Sequence, residues 1–131
     1  MLTRRGFGAC AICSAVGLVA TGVAAQGPGF TRTILKRMEF PGDRYVTLLV
    51  RVDIEPGAKI ARHTHPGVET TYVMEGAAEL SMKGAPDRTY ATGEGFQVPA
   101  EVPHSAQNGD KPTRLIVTYV VEKDKPLASP A

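Results

Sequence analysis

The chain has 131 residues, 43% hydrophobic and 21% charged, with 15 Lys and Arg against 13 Asp and Glu for a formal net charge of +2. That length predicts one domain, and that balance predicts a soluble globular core. No block of Lys and Arg interleaved with aromatics occurs, so a nucleic-acid footprint is excluded.

At the N-terminus, Met1–Arg5 carries two adjacent arginines and Gly6–Ala25 has no charge at all. Val23-Ala24-Ala25 then offers the small residues a signal peptidase accepts before Gln26. Residues 1–25 therefore read as a secretory signal, and the Gly/Ala-rich run favours cleavage over an uncleaved anchor. Thr3-Arg4-Arg5-Gly6-Phe7 resembles the bacterial twin-arginine motif, a receptor-read address. The resemblance implies export to the periplasm, with no membrane contact after cleavage. Loss of this segment leaves 106 residues with 13 basic and 13 acidic side chains, so the positive surplus belongs to the signal. Cys10 and Cys13 form a C-x-x-C, but inside an apolar run that offers no hydrated metal site. The mature domain has no cysteine, so its core alone must hold it.

Gln26–Gly29 is a flexible lead-in, and Thr31–Phe40 reads as a first strand at a sheet edge. After the turn Pro41-Gly42-Asp43, Tyr45–Ile54 is the clearest strand, rich in β-branched residues. Glu55-Pro56-Gly57 turns the chain into Ala58–Arg62. Pro66-Gly67 breaks the next run, and Glu69–Met74 resumes it. Glu75-Gly76 precedes the alternating Ala77–Lys83, and Gly84–Asp87 precedes a short Arg88–Ala91. Phe96–Val98 and His104–Gln107 are short strands around an irregular Pro99–Pro103, and Asn108-Gly109-Asp110 is a hairpin signal. Thr113–Glu122 is the last long strand. This order gives an N-terminal strand or arm over 26–45, a β-domain over 46–122 and a loose tail over 123–131. No segment after Gln26 shows a sustained 3.6-residue apolar period, so the fold class is all-β, a sandwich or a barrel.

The chain has three histidines, and all fall in two blocks. The first, Gly57–Gly76, holds His63, His65 and Glu69; the second, Gly93–Asn108, holds His104. Positions two apart on a strand share a face, so His63 and His65 project together. Glu69 returns from the following run, and His104 can join them where inward faces of a closed sheet converge. Three imidazoles and one carboxylate suit a divalent transition ion (Fe, Mn, Ni, Cu or Zn), with positions left open for substrate. A lone His-x-His is more often a polar surface pair, and the joint pattern is what carries the metal reading.

The two blocks resemble the paired motifs of the cupin superfamily, G-x5-H-x-H-x3,4-E-x6-G and G-x5-P-x-G-x2-H-x3-N. The first matches at Gly57, His63, His65, Glu69 and Gly76; the second at Gly93, Pro99, His104 and Asn108, with Glu101 where the motif has glycine. The resemblance spans about Thr47 to Tyr119. It implies a single-domain jelly-roll barrel, with His63, His65, Glu69 and His104 as ligands of one metal ion, and a homodimer. Gly57, Gly76 and Gly93 then serve turns, and Asn108 opens the hairpin.

No histidine is left over as a general base, which excludes a serine triad. The ion must carry the chemistry. One expectation is dioxygenase-type reaction of a small oxygen-bearing substrate with O2, with Glu69 taking a proton. The alternatives are O2-independent isomerase, lyase or decarboxylase chemistry, with Tyr72, Tyr90 or Tyr119 as proton carrier, or a non-catalytic ligand-binding barrel.

Overall fold

The computed structural model describes residues 27–131; the expected signal and the Cys10–Cys13 pair lie outside them. Ten strands and no helix occur among the described residues. They are β1 (Phe30–Glu39), β2 (Tyr45–Ile54), β3 (Lys59–Thr64), β4 (Gly67–Glu75) and β5 (Ala77–Met82), then β6 (Arg88–Ala91), β7 (Gly95–Val98), β8 (His104–Asn108), β9 (Thr113–Glu122) and β10 (Ser129–Pro130). Two five-stranded antiparallel sheets, ordered β1-β2-β9-β4-β7 and β10-β3-β8-β5-β6, face each other as a jelly roll.

Period-two alternation builds the core. On β2, Val46, Leu48, Val50, Val52 and Ile54 point inward, and on β9 Leu115, Val117, Tyr119 and Val121 meet them. The same parity turns Glu69, Thr71 and Val73 of β4 into the interior. Register then sets the site. Leu48, Tyr119, Glu69 and Val98 stand side by side across the first sheet. Pro130, His63, His104 and Met82 stand side by side across the second. These two rows close on one another inside the barrel.

Two special backbones keep the elements in place. Gly67 passes so close to the Val120 carbonyl that a Cβ would overlap it, which lets β4 lie flush on β9. Glu101 adopts φ 60°, the left-handed turn the motif's glycine would supply, and its amide donates to the His65 carbonyl at 3.0 Å.

Several expectations change in detail. The N-terminal segment is an edge strand, as expected; it pairs along the length of β2, and its Phe30 and Ile34 pack on the core. The tail is corrected from loose to docked: Ser129 and Pro130 pair with Thr64 and His63, and Leu127 packs on the core. The strand carrying His63 runs to Thr64, past the expected Arg62, and β4 begins at Gly67, where a break was expected. Asn108 does more than open the turn. Its Nδ2 donates to the carbonyls of Glu55 (2.8 Å), Lys111 (2.9 Å) and Ile54 (3.1 Å), and its Oδ1 accepts from Thr113 at 2.7 Å. One buried amide thus ties the ends of β2 and β8 to the start of β9.

Candidate metal centre

A bulge in the β3–β8 ladder between Ile60 and His63 lets both side chains face inward although they are three positions apart. His65 follows just beyond the end of β3 and is 2% exposed. The expected pairing of His63 with His65 holds: their Nε2 atoms lie 3.1 Å apart. The ligand atoms of His63, His65 and His104 all fall within 4.8 Å of one another. Glu69 stands at the edge of this cluster, its Oε2 3.0 Å from His65 Nε2 and 3.3 Å from His104 Nε2. All four side chains named from the sequence therefore meet in the interior.

Backbone carbonyls set the imidazole orientation. His63 Nδ1 donates to Ala61 at 2.7 Å, His65 Nδ1 to Leu127 at 2.6 Å and His104 Nδ1 to Val102 at 2.9 Å. A carbonyl only accepts, so each Nδ1 carries the proton, and in the neutral ring each Nε2 is a bare lone pair. Three such lone pairs and a carboxylate oxygen aimed at one point repel each other. His104 Nε2 is buried with no hydrogen-bond partner, despite its nearness to Glu69. A cation among these atoms offsets both costs, so the donor set fits a divalent transition ion.

Burial pushes His63 down to about 4, and the neighbouring His104, His65 and Arg32 charges act in the same sense. Burial raises the Glu69 carboxyl, but the imidazoles of His104 and His65, when protonated, outweigh this and hold it well below the usual carboxylate range. Thr71 Oγ1 donates to Glu69 Oε1 at 2.6 Å, leaving Oε2 for the cluster.

Of the three tyrosines considered as proton carriers, only Tyr119 reaches the site. It is 2% exposed, its ring centroid 4.8 Å from that of His65. Burial, then the Glu69 charge, push its hydroxyl well above the usual phenol range. Tyr72 is 51% exposed and points outward, and Tyr90 stacks on Phe96 at 4.9 Å. Sequence reasoning missed Arg32 and Thr71. Arg32, on the edge strand, is 4% exposed and places Nη2 3.4 Å from His63 Nε2. Its place among mixed charges on β1 gave no sign of burial. Thr71 shares the inward face of β4 with Glu69, but a threonine in a strand signals nothing by itself.

Protein SchB of Streptomyces halstedii is 37% identical over 65 residues, 48% of this chain and 46% of that protein. The DMSP lyase DddQ of Ruegeria pomeroyi DSS-3 superposes with a TM-score of 0.65 at 22% identity, covering 82% of this chain and 56% of that one. A recombinant oxalate oxidase solved with glycolate gives a TM-score of 0.56 at 25% identity, covering 64% of this chain and 45% of that one. The chain thus spans about half the length of these relatives. Residues 50–119, which hold all four converging side chains, match the Cupin_2 family, the cupin domain. The chain belongs to that family.

Proposed function

We propose that the protein is an exported metalloenzyme that binds one divalent transition ion through His63, His65, His104 and Glu69. With it, the protein acts on a small oxygen-bearing organic substrate by dioxygenase-type chemistry. The observation that carries this reading is the convergence of three carbonyl-oriented Nε2 lone pairs with Glu69 Oε2 in a buried space. When bound, such an ion supplies an electrophilic centre at which a substrate oxygen and O2 can meet. The chain's own residues do the rest. The Ala61, Leu127 and Val102 carbonyls hold the rings in one tautomer. Thr71 holds Glu69 by one oxygen, so the other can leave the cluster and take a substrate proton without the carboxylate losing its place. Val52, Ile60, Leu80 and Val117 wall the space and exclude water.

A second, O2-independent reading, lyase or isomerase, is favoured by Tyr119. Burial holds its hydroxyl protonated and its ring packs against His65, so it would supply a donor to a developing oxyanion. Among proteins of this fold, DddQ is a DMSP lyase and another is an oxalate oxidase, so the barrel supports more than one reaction class. Export and a homodimer complete the proposal. The dimer is supported by exposed Leu49, Val68, Tyr72 and Met74 on the outer face of the first sheet.

Oxygen consumption by the metal-loaded protein with catechols, flavonols and diketones tests the leading reading. Uptake with at least one class is expected. Turnover that proceeds equally under argon would reject it in favour of the second.

A further inference from the structure

Among the described residues, Arg32 is the one buried guanidinium, and the metal reading leaves it without a task. It is 4% exposed, and no carboxylate among the described residues lies within ion-pair distance of it. Its Nη2 makes the long 3.4 Å contact to His63 Nε2, its Nε is buried with no partner, and its carbon centre sits 5.1 Å over the Phe30 ring. Burying a cation without a counter-charge is costly unless something else supplies one. Glu69 is already engaged by Thr71, His65 and His104. With a divalent ion in place, the interior holds one fixed negative charge against three positive ones. Coordination would also withdraw His63 Nε2 from Arg32.

Arg32 also stands between two spaces. The inner one, about 30 Å³, is lined by His63, Glu69, His104, Phe96 and Tyr119 among others. That is room for an ion with a ligand's reacting end, but not for a whole organic molecule. The outer one, about 260 Å³, is a groove between the N-terminal segment, β3 and β10, with Lys59 and Arg62 on its wall. Arg32, Ile60 and His63 line both. Among the described residues the groove is lined by two arginines and a lysine and by no carboxylate side chain. Such a lining raises the local concentration of anions and speeds their arrival.

We propose that the substrate is a small organic carboxylate. It enters between the N-terminal segment and the paired strands β3 and β10, and its carboxylate is gripped by the Arg32 guanidinium while its tail stays in the outer groove. The planar fork pairs with a carboxylate through two parallel N–H donors, which satisfies the unpartnered Nε and brings the interior to two negative charges against three positive. This rests on the metal-centre reading and adds to it the class of ligand and the residue that selects it.

The test uses the purified chain loaded with Co²⁺, whose visible spectrum reports both the metal and its surroundings, titrated with acetate and with the neutral isostere acetamide. Acetate is expected to shift the spectrum saturably and acetamide not at all. Arg32→Met should weaken acetate by about tenfold or more, losing a charge-assisted bidentate pair, with Co²⁺ affinity changed less than about threefold. Arg32→Lys should keep part of the affinity. Lys59→Glu with Arg62→Glu, both on exposed positions of β3, should weaken acetate at low salt and lose that effect as salt rises. This pair decides the matter if Arg32→Met does not fold. Failure of the wild-type protein to take up Co²⁺ would sink the metal reading and this one with it. Normal uptake would overturn the Arg32 assignment alone if acetate bound Arg32→Met as tightly as wild type, or if acetamide bound as well as acetate.

Discussion

At the scale of single residues, the site depends on orientation as much as on identity. Thr71 anchors Glu69 through Oε1. Thr71→Val keeps the shape but removes the donor, and metal affinity is expected to fall by about 10- to 100-fold, as when partners behind ligands are lost. Calorimetric titration with Mn²⁺ or Co²⁺ measures this; unchanged affinity would show that Glu69 needs no anchor. The histidines also predict a pH response. His63 titrates near 4 in the fold, below its ordinary 6.5, because burial disfavours its charged form. Between those values the unfolded chain binds the proton and the folded one does not, so stability rises with pH across that window. Metal-free protein should therefore lose stability as pH falls from 6.5 to 4, by up to roughly 3 kcal/mol at about 1.4 kcal/mol per pH unit. Glu69, held low in the fold, extends the loss further as pH drops below the ordinary carboxylate range. Urea denaturation at a series of pH values checks the slope, and a flat profile above pH 4 would contradict the burial of His63.

At the scale of elements, the joints that matter are the bulge in β3, the Asn108 clamp and the docked tail. Asn108→Ala strips several acceptors and a donor of their buried partner, and roughly 2–4 kcal/mol of stability should be lost. Metal stoichiometry in the surviving folded fraction should be unchanged, since Asn108 touches no ligand. Deleting residues 127–131 tests the tail. It removes the Leu127 carbonyl from His65 Nδ1 and opens the edge of β3, so metal affinity should drop well beyond any change in stability. The long strands were legible because β2, β4 and β9 alternate plainly and their parity puts Glu69, Thr71 and Tyr119 inside. The tail was not. Its two prolines and sparse apolar residues signal looseness, while Leu127, the two-residue bridge and the Ala131 amide on the Arg62 carbonyl are what dock it. Arg32 was hidden for a related reason. Charged residues crowd the later half of β1, and a bulge between Ile34 and Lys36 shifts the inward positions. Alternation could not separate the one buried cation from its exposed neighbours.

At the scale of the whole molecule, the four ligand candidates were readable because two short blocks carry all the histidines, and an antiparallel barrel brings such blocks together through register. The outer surface says something separate. Leu49, Val68, Tyr72 and Met74 expose large apolar groups on one face of the first sheet, with the half-buried Ile116 and Val120 between them. A patch of this kind is expected to be covered, and the proposed homodimer covers it. Val68→Lys should shift the mass measured by light scattering from two chains toward one, with the metal site intact. A monomeric wild type would reject the dimer and leave the centre untouched.

The central claim is that His63, His65, His104 and Glu69 hold one ion together. Its most direct test is the metal content of the purified protein, measured by inductively coupled plasma mass spectrometry on wild type and on His104→Ala. One divalent transition ion per wild-type chain is expected, and close to none in the folded variant. An ion-free wild-type chain that takes up no Mn²⁺, Fe²⁺, Co²⁺ or Ni²⁺, or a variant that keeps a full equivalent, would contradict it.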